Sequence, residues 1–525
     1  MGILQLYYGI FESVCQYTFD IFLEVREMDR FVSIQLDRSL EKALYIQIYE
    51  GILEMIREKQ LSPEEKLAPI RGLSSLLDVN SGTVVSAYKL LEERGYVVSR
   101  VGSGTYVSPD IIFSDVQDAV LVEEYFMDPL EGVAHPVQSP GEGLYSQAAF
   151  DFAGASISPE FFPVEEFKQV LNEVLDRDKG YAFGYQESTG YPPLREAIRD
   201  VILTHYGTKA SIESIQIVSG AQQGIDIIAK TLLEFQDTVF VESPTYTGAI
   251  NAFKSHGAKI VEVPMELDGV DISKFKMLLK SKPKLFYSMP NFHNPTGYCY
   301  SKQKRRELLA LASEHDFYIV EDDHINDLFY DKRPTLLKSI DEEDRVFYIK
   351  SFSKPFMPGI RLAFMLPPEG FSEKVAYAKY ATDIFSSGLS QRSMELFLRR
   401  GFWEKKVDEI RKTFKLRRDL TEAALKKYLP PGVKFHAPAG GLFFWLSLPE
   451  GFYSMNLYNE ALKKGVLMVP GDLFFPDRRP SSSFRLSIAE IDPHRIEEGV
   501  ELLSGLIRSL MESYPTPNAG PRPIL

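Results

Sequence analysis

Lys354 stands in the run Ser351-Phe352-Ser353-Lys354-Pro355-Phe356-Met357-Pro358-Gly359-Ile360-Arg361, directly after an apolar stretch that reads as a buried strand. A lysine on a loop is ordinarily a solvated surface charge. One that is desolvated beside an arginine has a lowered pKa and becomes a nucleophile able to form a Schiff base with an aldehyde. The hydroxyls of Ser351 and Ser353 and the guanidinium of Arg361 suit a phosphate dianion.

Other segments supply the rest of such a site. Val320-Glu321-Asp322-Asp323 ends a second apolar strand, where α/β folds place ligands. A carboxylate facing a pyridine nitrogen keeps it protonated and makes the ring an electron sink. Asn294, in Asn294-Pro295-Thr296-Gly297, has an amide that can donate to a phenolate oxygen. Ser219-Gly220-Ala221-Gln222-Gln223-Gly224 is a strand-to-helix turn whose backbone N–H groups suit a phosphate. Tyr246, in Ser243-Pro244-Thr245-Tyr246, can stack on a ring face. Arg485, in Phe484-Arg485-Leu486-Ser487, is a forked donor for a carboxylate.

These segments need a frame that brings strand ends together. From about 149 to 515, short apolar runs (Ile215–Val218, Thr238–Val241, Lys284–Ser288, Phe317–Val320, Val346–Ile349) alternate with amphipathic helical stretches. That is the pattern of βαβ units and a mainly parallel sheet. Ahead of it, residues 39–108 form a separate pattern. Tyr45, Ile48, Ile52, Met55 and Ile56 recur at helical spacing, a short helix spans Pro69 to Leu77, and Asp78-Val79-Asn80 turns into a helix from Ser81 to Arg94 closed by Gly95. Tyr96–Arg100 and Gly104–Val107 then flank Gly102-Ser103 as a hairpin. Helix, turn, helix and hairpin make a winged helix-turn-helix, whose second helix enters the major groove by its N-terminal residues. Those are Ser81, Gly82 and Thr83, with Asn80 as N-cap; Arg71 suits a phosphate, and Arg100, Gly102 and Ser103 form the wing tip.

The remaining regions are a 1–38 extension left unassigned, with a start at Met28 one reading of it, a 109–148 linker rich in acidic residues and proline, and a proline-rich tail at 516–525. A chain of 525 residues exceeds one ordinary domain. Its net charge of -14 argues against a general polyanion binder, yet residues 30–108 carry as many basic as acidic side chains. Two cysteines, Cys15 and Cys299, offer neither a disulfide framework nor a zinc site and fit a reducing cytoplasm. No stretch has the roughly 20 apolar residues of a membrane span.

Residues 39–108 resemble the winged-helix domain of the GntR family of bacterial regulators, through Leu44-Tyr45-x-Gln47-Ile48, Lys66-Leu67 with Arg71, Thr83-Val84-x-x-Ala87-Tyr88, Leu91-x-x-x-Gly95-Tyr96 and Gly102-Ser103-Gly104-Thr105-Tyr106-Val107. The departures are Ala68-Pro69-Ile70 before the arginine, where the family often has Pro-Ser, and Asn80-Ser81 where it often has Ser-Arg. Residues 149–510 resemble the fold-type I, class I/II aminotransferases, an α/β fold with large and small subdomains, the small one at about 390–515. Tyr185 with Gly190, Leu194-Arg195 and Pro438-x-Gly440-Gly441-Leu442-Phe443-Phe444-Trp445 add to the match. The resemblance implies pyridoxal 5'-phosphate held as an aldimine on Lys354. Asp322 faces the pyridine nitrogen (Asp323 is the alternative), Asn294 the phenolate oxygen, and Tyr246 stacks. Ser219, Ala221, Gln222, Ser351, Ser353 and Arg361 lie on the phosphate side, and Arg485 clamps an effector carboxylate. The family's tyrosine on the phenolate oxygen is missing, and His324 is either its substitute or a sign that the contact is lost.

The two resemblances in this order match the MocR subfamily of transcription regulators. They imply a cytoplasmic homodimer in which one chain's reader domain packs on the other's large domain. They imply a double-stranded DNA operator and sensing of an amine or amino-acid effector through aldimine chemistry. The competing expectation is an active aminotransferase with an appended DNA-binding domain.

Overall fold

The computed structural model describes residues 31, 34, 36, 44–57, 60–93, 96–100, 104–108 and 149–513. The expectations for the N-terminal extension, Gly95, the wing-tip Gly102 and Ser103, the linker and the tail lie outside them. The chain divides into two compact units near residue 120.

The first unit holds helices α1 (Leu44–Arg57), α2 (Ile70–Leu76) and α3 (Ser81–Glu93), then an antiparallel pair, β1 (Val97–Arg100) and β2 (Gly104–Val107), in register Val97↔Val107 and Arg100↔Gly104. Helical spacing of apolar residues forms it: Ile48, Ile52, Met55 and Ile56 of α1 meet Leu73 of α2 and Val84, Ala87, Tyr88 and Leu91 of α3 in one buried cluster. The Tyr88 hydroxyl donates to the Ala68 carbonyl at 2.6 Å, so its one polar atom is satisfied inside that core. The cluster also takes in Phe31 and Ile34, ahead of the boundary expected at 39. A Cβ at Gly51 would lie 2.9 Å from Ile34, so the absence of a side chain there seats Ile34 against α1. Residues 64–67 run along β2, with Leu67 N–H to Thr105 O and Val107 N–H to Glu65 O both at 2.8 Å, and give the wing a third edge that its hairpin pattern does not announce.

The second unit begins with β3 (Phe150–Asp151) and centres on eight strands: β4 (Gln216–Val218), β5 (Thr238–Ser243), β6 (Lys259–Glu266), β7 (Gly269–Val270), β8 (Leu285–Ser288), β9 (Tyr318–Asp323), β10 (Val346–Ser351) and β11 (Ala363–Leu366). Their order is β4-β11-β10-β9-β8-β5-β6-β7. The pairs β10·β9, β9·β8, β8·β5 and β5·β6 are parallel, while β11 runs against both β10 and β4. Near-continuous burial of Val239–Val241, Leu285–Tyr287, Ile319–Val320 and Val346–Ile349 reflects helices on both faces. Because β4, β5, β8, β9 and β10 point the same way, their C-terminal ends meet at one edge, and β11 starts there.

A four-stranded antiparallel sheet follows, β12 (Lys434–His436), β13 (Phe443–Ser447), β15 (Val469–Pro470) and β16 (Ser483–Ser487), in the order β12-β13-β16-β15. The two-residue β14 (Val466–Leu467) pairs instead with β3, so the segment at 150–151 packs with C-terminal residues, in a core shared by Phe150, Phe152, Phe444, Leu486 and Val500.

Candidate functional site

At the shared edge the sequence-chosen residues converge by topology. Lys354 follows β10, Asp322 lies in the last turn of β9, Asn294 follows β8, Tyr246 follows β5, Ser219 follows β4, and Arg361 precedes β11. Arg485 arrives from β16 and completes the set: its Nη1 donates to Asn294 Oδ1 at 2.8 Å and its Nη2 to the Ala153 carbonyl at 2.8 Å.

Electrostatics distinguish these groups from surface charges. Burial and the nearby Arg485 cation lower the Lys354 ammonium to a pKa of about 8, with Asp322 opposing the shift. Burial raises the Asp322 carboxyl to about 6, held back by the Tyr287 hydroxyl that donates to Oδ2 at 2.6 Å. Asp322 Oδ1 is buried and has no hydrogen-bond partner. Its neighbour Asp323 points to the other side of the strand. There it accepts from Tyr348 Oη at 2.6 Å, Lys350 Nζ at 3.1 Å and the Asn326 N–H at 2.8 Å. Lys350 also pairs with Asp327 at 2.8 Å, so Asp323 belongs to a closed buried network while Asp322 keeps a free oxygen. Burial lowers Arg485 to about 9. No carboxylate pairs with it among the described residues; it lies instead over the rings of Phe443 (4.4 Å) and Phe474 (5.2 Å). Tyr246 is raised to about 12 by burial and Asp322, and its hydroxyl reaches Gln222 Oε1 at 3.3 Å.

Gly220, at φ +109°, lets the chain enter the helix Ala221–Leu232, and a Cβ there would lie 2.6 Å from Arg361 Nη2. Arg361 is exposed and donates to the Ser219 carbonyl at 3.0 Å. The Ser219 hydroxyl is already engaged, with Ser386 Oγ at 2.8 Å and Asp383 Oδ2 at 3.1 Å, and its N–H donates to Gln223 Oε1 at 2.7 Å. The N–H groups of Ala221 and Gln222 lie in the first turn of the helix, where they have no intrahelical partner. Ser351 is buried and its Oγ accepts from the Ser353 N–H at 3.1 Å. His324 is buried, stacked at 14° to Phe443 with centroids 6.4 Å apart.

Tyr287, Asp383, Ser386, Phe443 and Phe474 were not singled out as site residues. Only Tyr287 carried a signal, a hydroxyl in an otherwise apolar strand that must find a partner. Among the described residues no cluster of His, Cys, Asp or Glu is arranged to hold a metal ion. No helix among them is long and apolar enough to cross a membrane.

In the first unit, Arg71, Asn80, Ser81 and Gly82 are exposed and Thr83 half-buried. The Asn80 side chain accepts from the Gly82 N–H at 2.8 Å and caps α3, so it is spent on the helix start. Ser81 Oγ lies 3.2 Å from Ser74 Oγ, which ties α3 to α2. Arg100 lies at the end of β1, where only its backbone is described.

Two family models match the chain: "Aminotransferase class I and II" over residues 158–503, and "Bacterial regulatory proteins, gntR family" over residues 44–107. The aromatic-amino-acid aminotransferase 1 of Thermococcus litoralis is 32% identical over 74% of this chain and 95% of its own length. The HTH-type transcriptional regulator YdfD of Bacillus subtilis, itself uncharacterized, is 30% identical over 88% of this chain and 96% of its own. Among solved structures, kynurenine aminotransferase of Pyrococcus horikoshii is similar with a TM-score of 0.69 and 33% identity, covering 75% of this chain and 99% of that one.

Proposed function

The chain belongs to the aminotransferase class I and II family and joins that domain to a gntR-type reader as MocR-type regulators do, and from this premise we propose that it is a DNA-binding transcription regulator that uses pyridoxal phosphate to sense an amine or amino acid. The observation that carries this reading is coverage. YdfD matches 88% of the chain, whereas the aminotransferase relatives match about three quarters of it, and the winged unit is matched by the gntR model. A metabolic transaminase has no use for that unit.

The class I and II fold implies pyridoxal phosphate, and the residues fit it. Lys354 is a half-buried amine with a lowered pKa, Asp322 keeps an unpartnered oxygen, and the first turn of the helix at Ala221 and Gln222 has N–H groups without intrahelical partners. When bound, the cofactor supplies an aldehyde that condenses reversibly with primary amines and a ring that withdraws electrons. The chain does the rest. At pH 7.5 a group with pKa about 8 is unprotonated in roughly a quarter of molecules, against about one in a thousand for an ordinary lysine, so Lys354 is available as a nucleophile. Asp322 is mostly ionised there and would hold a proton at a facing ring nitrogen. Tyr246 would cover a ring face, Ala221, Gln222, Ser351, Ser353 and Arg361 would take the phosphate, and Arg485 would take a carboxylate. With the cofactor held there, a free amine taking the place of the Lys354 amine would change charge and packing at the strand ends and so would bias a domain arrangement.

In this reading Arg71, Ser81, Gly82, Thr83, Arg100 and the wing tip meet a double-stranded operator, and two copies associate, possession of the exposed Tyr181, Phe183, Tyr185 and Tyr377 being the surface support for that. The place of action is the cytoplasm. The test titrates the loaded protein against its own upstream DNA with and without candidate amines. An effector shifts the DNA affinity of wild type and leaves Lys354→Ala unmoved; DNA affinity indifferent to every amine tested counts against sensing.

The intact constellation of Lys354, Asp322, Asn294 and Arg485 favours one second reading, an active aminotransferase. Sustained multiple turnover with amino-acid donors and a keto-acid acceptor would establish it.

A further inference from the structure

His324 is 7% exposed, and neither Nδ1 nor Nε2 has a hydrogen-bond partner. Buried polar atoms are nearly always paired, and a bare one is costly. The ring follows Asp322-Asp323 at the edge where Lys354 and Asn294 converge. It lies nearly parallel to Phe443, and the guanidinium of Arg485 contacts that same phenyl ring.

The charges facing His324 are Lys354, Arg485, His293 and Lys350, which with burial keep its pKa well below the usual imidazole value. Of these, Lys350 is balanced by Asp323 and Asp327, and His293 lies 3.0 Å from the buried Glu242. The imidazole is therefore neutral, with one N–H donor and one acceptor nitrogen. A neutral donor among cations, lacking an acceptor of its own, is matched to an anionic oxygen that arrives with a ligand. Pyridoxal phosphate carries one on its ring, beside the aldehyde carbon.

We propose that His324 donates the hydrogen bond to the ring oxygen of bound pyridoxal phosphate. The inference rests on the reading that the cofactor sits on Lys354. A donor to that oxygen stabilises it as a full anion. Without the donor, the oxygen shares its neighbour's proton to higher pH, so the visible band titrates later.

The test compares absorbance spectra of the reconstituted full-length protein from pH 6 to 9.5 for wild type, His324→Phe, His324→Gln and Lys354→Ala. The midpoint of the visible band in His324→Phe is expected about 1 pH unit above wild type, the shift from losing one charge-assisted hydrogen bond. His324→Gln keeps a neutral N–H donor and is expected to recover most of that shift, which a merely space-filling role would not produce. Should His324→Phe not fold, His324→Ala carries the same comparison. Coincident spectra for wild type and the donor-less variant overturn the inference alone. A wild-type spectrum identical to that of Lys354→Ala overturns the cofactor reading and this inference with it.

Discussion

In the winged unit Arg71, Ser81 and Gly82 stand outside a core of Ile48, Ile52, Leu73, Val84 and Leu91, and the set beneath them is apolar. Around Lys354 the arrangement is reversed: Asp322, Asn294 and Arg485 are themselves buried and hydrogen-bonded into the fold, and His324 is buried against Phe443. DNA is a surface ligand whose phosphates keep much of their water, so its contacts tolerate exposure. A ring-sized ligand that must alter pKa values needs a low-dielectric enclosure, and the residues that touch it become structural partners of one another. Residues of the first kind are expected to fail in function alone, those of the second in function and stability together.

The largest effect that separates the two regions is expected at Lys354. Lys354→Ala removes the lysine-dependent visible band and borohydride-fixable cofactor entirely while leaving DNA binding in the absence of effector within about twofold; absorbance and fluorescence anisotropy measure the two. Asp322→Ala comes next. It leaves the buried Tyr287 hydroxyl without its acceptor, so denaturant unfolding of the large unit is expected to show a loss of about 1–3 kcal/mol, with weaker cofactor retention. A loss under 0.5 kcal/mol would break the comparison, because it would place Asp322 among residues that serve only a ligand. Arg71→Ala is expected to weaken operator binding about tenfold, to reduce the salt slope by about one, and to change stability by less than about 0.5 kcal/mol. The smallest effect sharpens the electrostatic side. Only the unprotonated amine of Lys354 reacts, so the rate of cofactor loading should rise close to tenfold between pH 6 and 7 and level off above about 8. A rise continuing past pH 9.5 would mean an ordinary, solvated lysine.

Much of this was legible in the sequence, for a physical reason. Parallel strands buried on both faces read as apolar runs, and ligand chemistry in such folds collects at strand ends, so Lys354, Asp322, Asn294 and Ser219 stood out at once. The helices of the winged unit were legible because Ile48, Ile52, Met55 and Ile56 keep helical period. What failed to show was partnership across long separations. Nothing local at Ser219 says that its hydroxyl is held by Asp383 and Ser386, about 165 residues on. The different surroundings of Asp322 and Asp323 also needed the fold. Strand alternation sends them to opposite sides, but which side holds Lys350 and Tyr348 is a matter of neighbouring strands. The pairing of 64–67 with β2, and of β3 with β14, was invisible for the same reason.

Phe31 and Ile34 lie upstream of every motif that marks the reader, yet they are part of its core, and Gly51 leaves room for Ile34. Full burial of two such side chains is worth roughly 3–6 kcal/mol, comparable to the whole stability of a small domain. The reader is therefore not a cassette that starts where its signature starts. Anyone grafting it onto a different sensor should place the joint ahead of Phe31, since a cut at 39 would leave α1 with an uncovered groove and a module too weak to carry a new cargo.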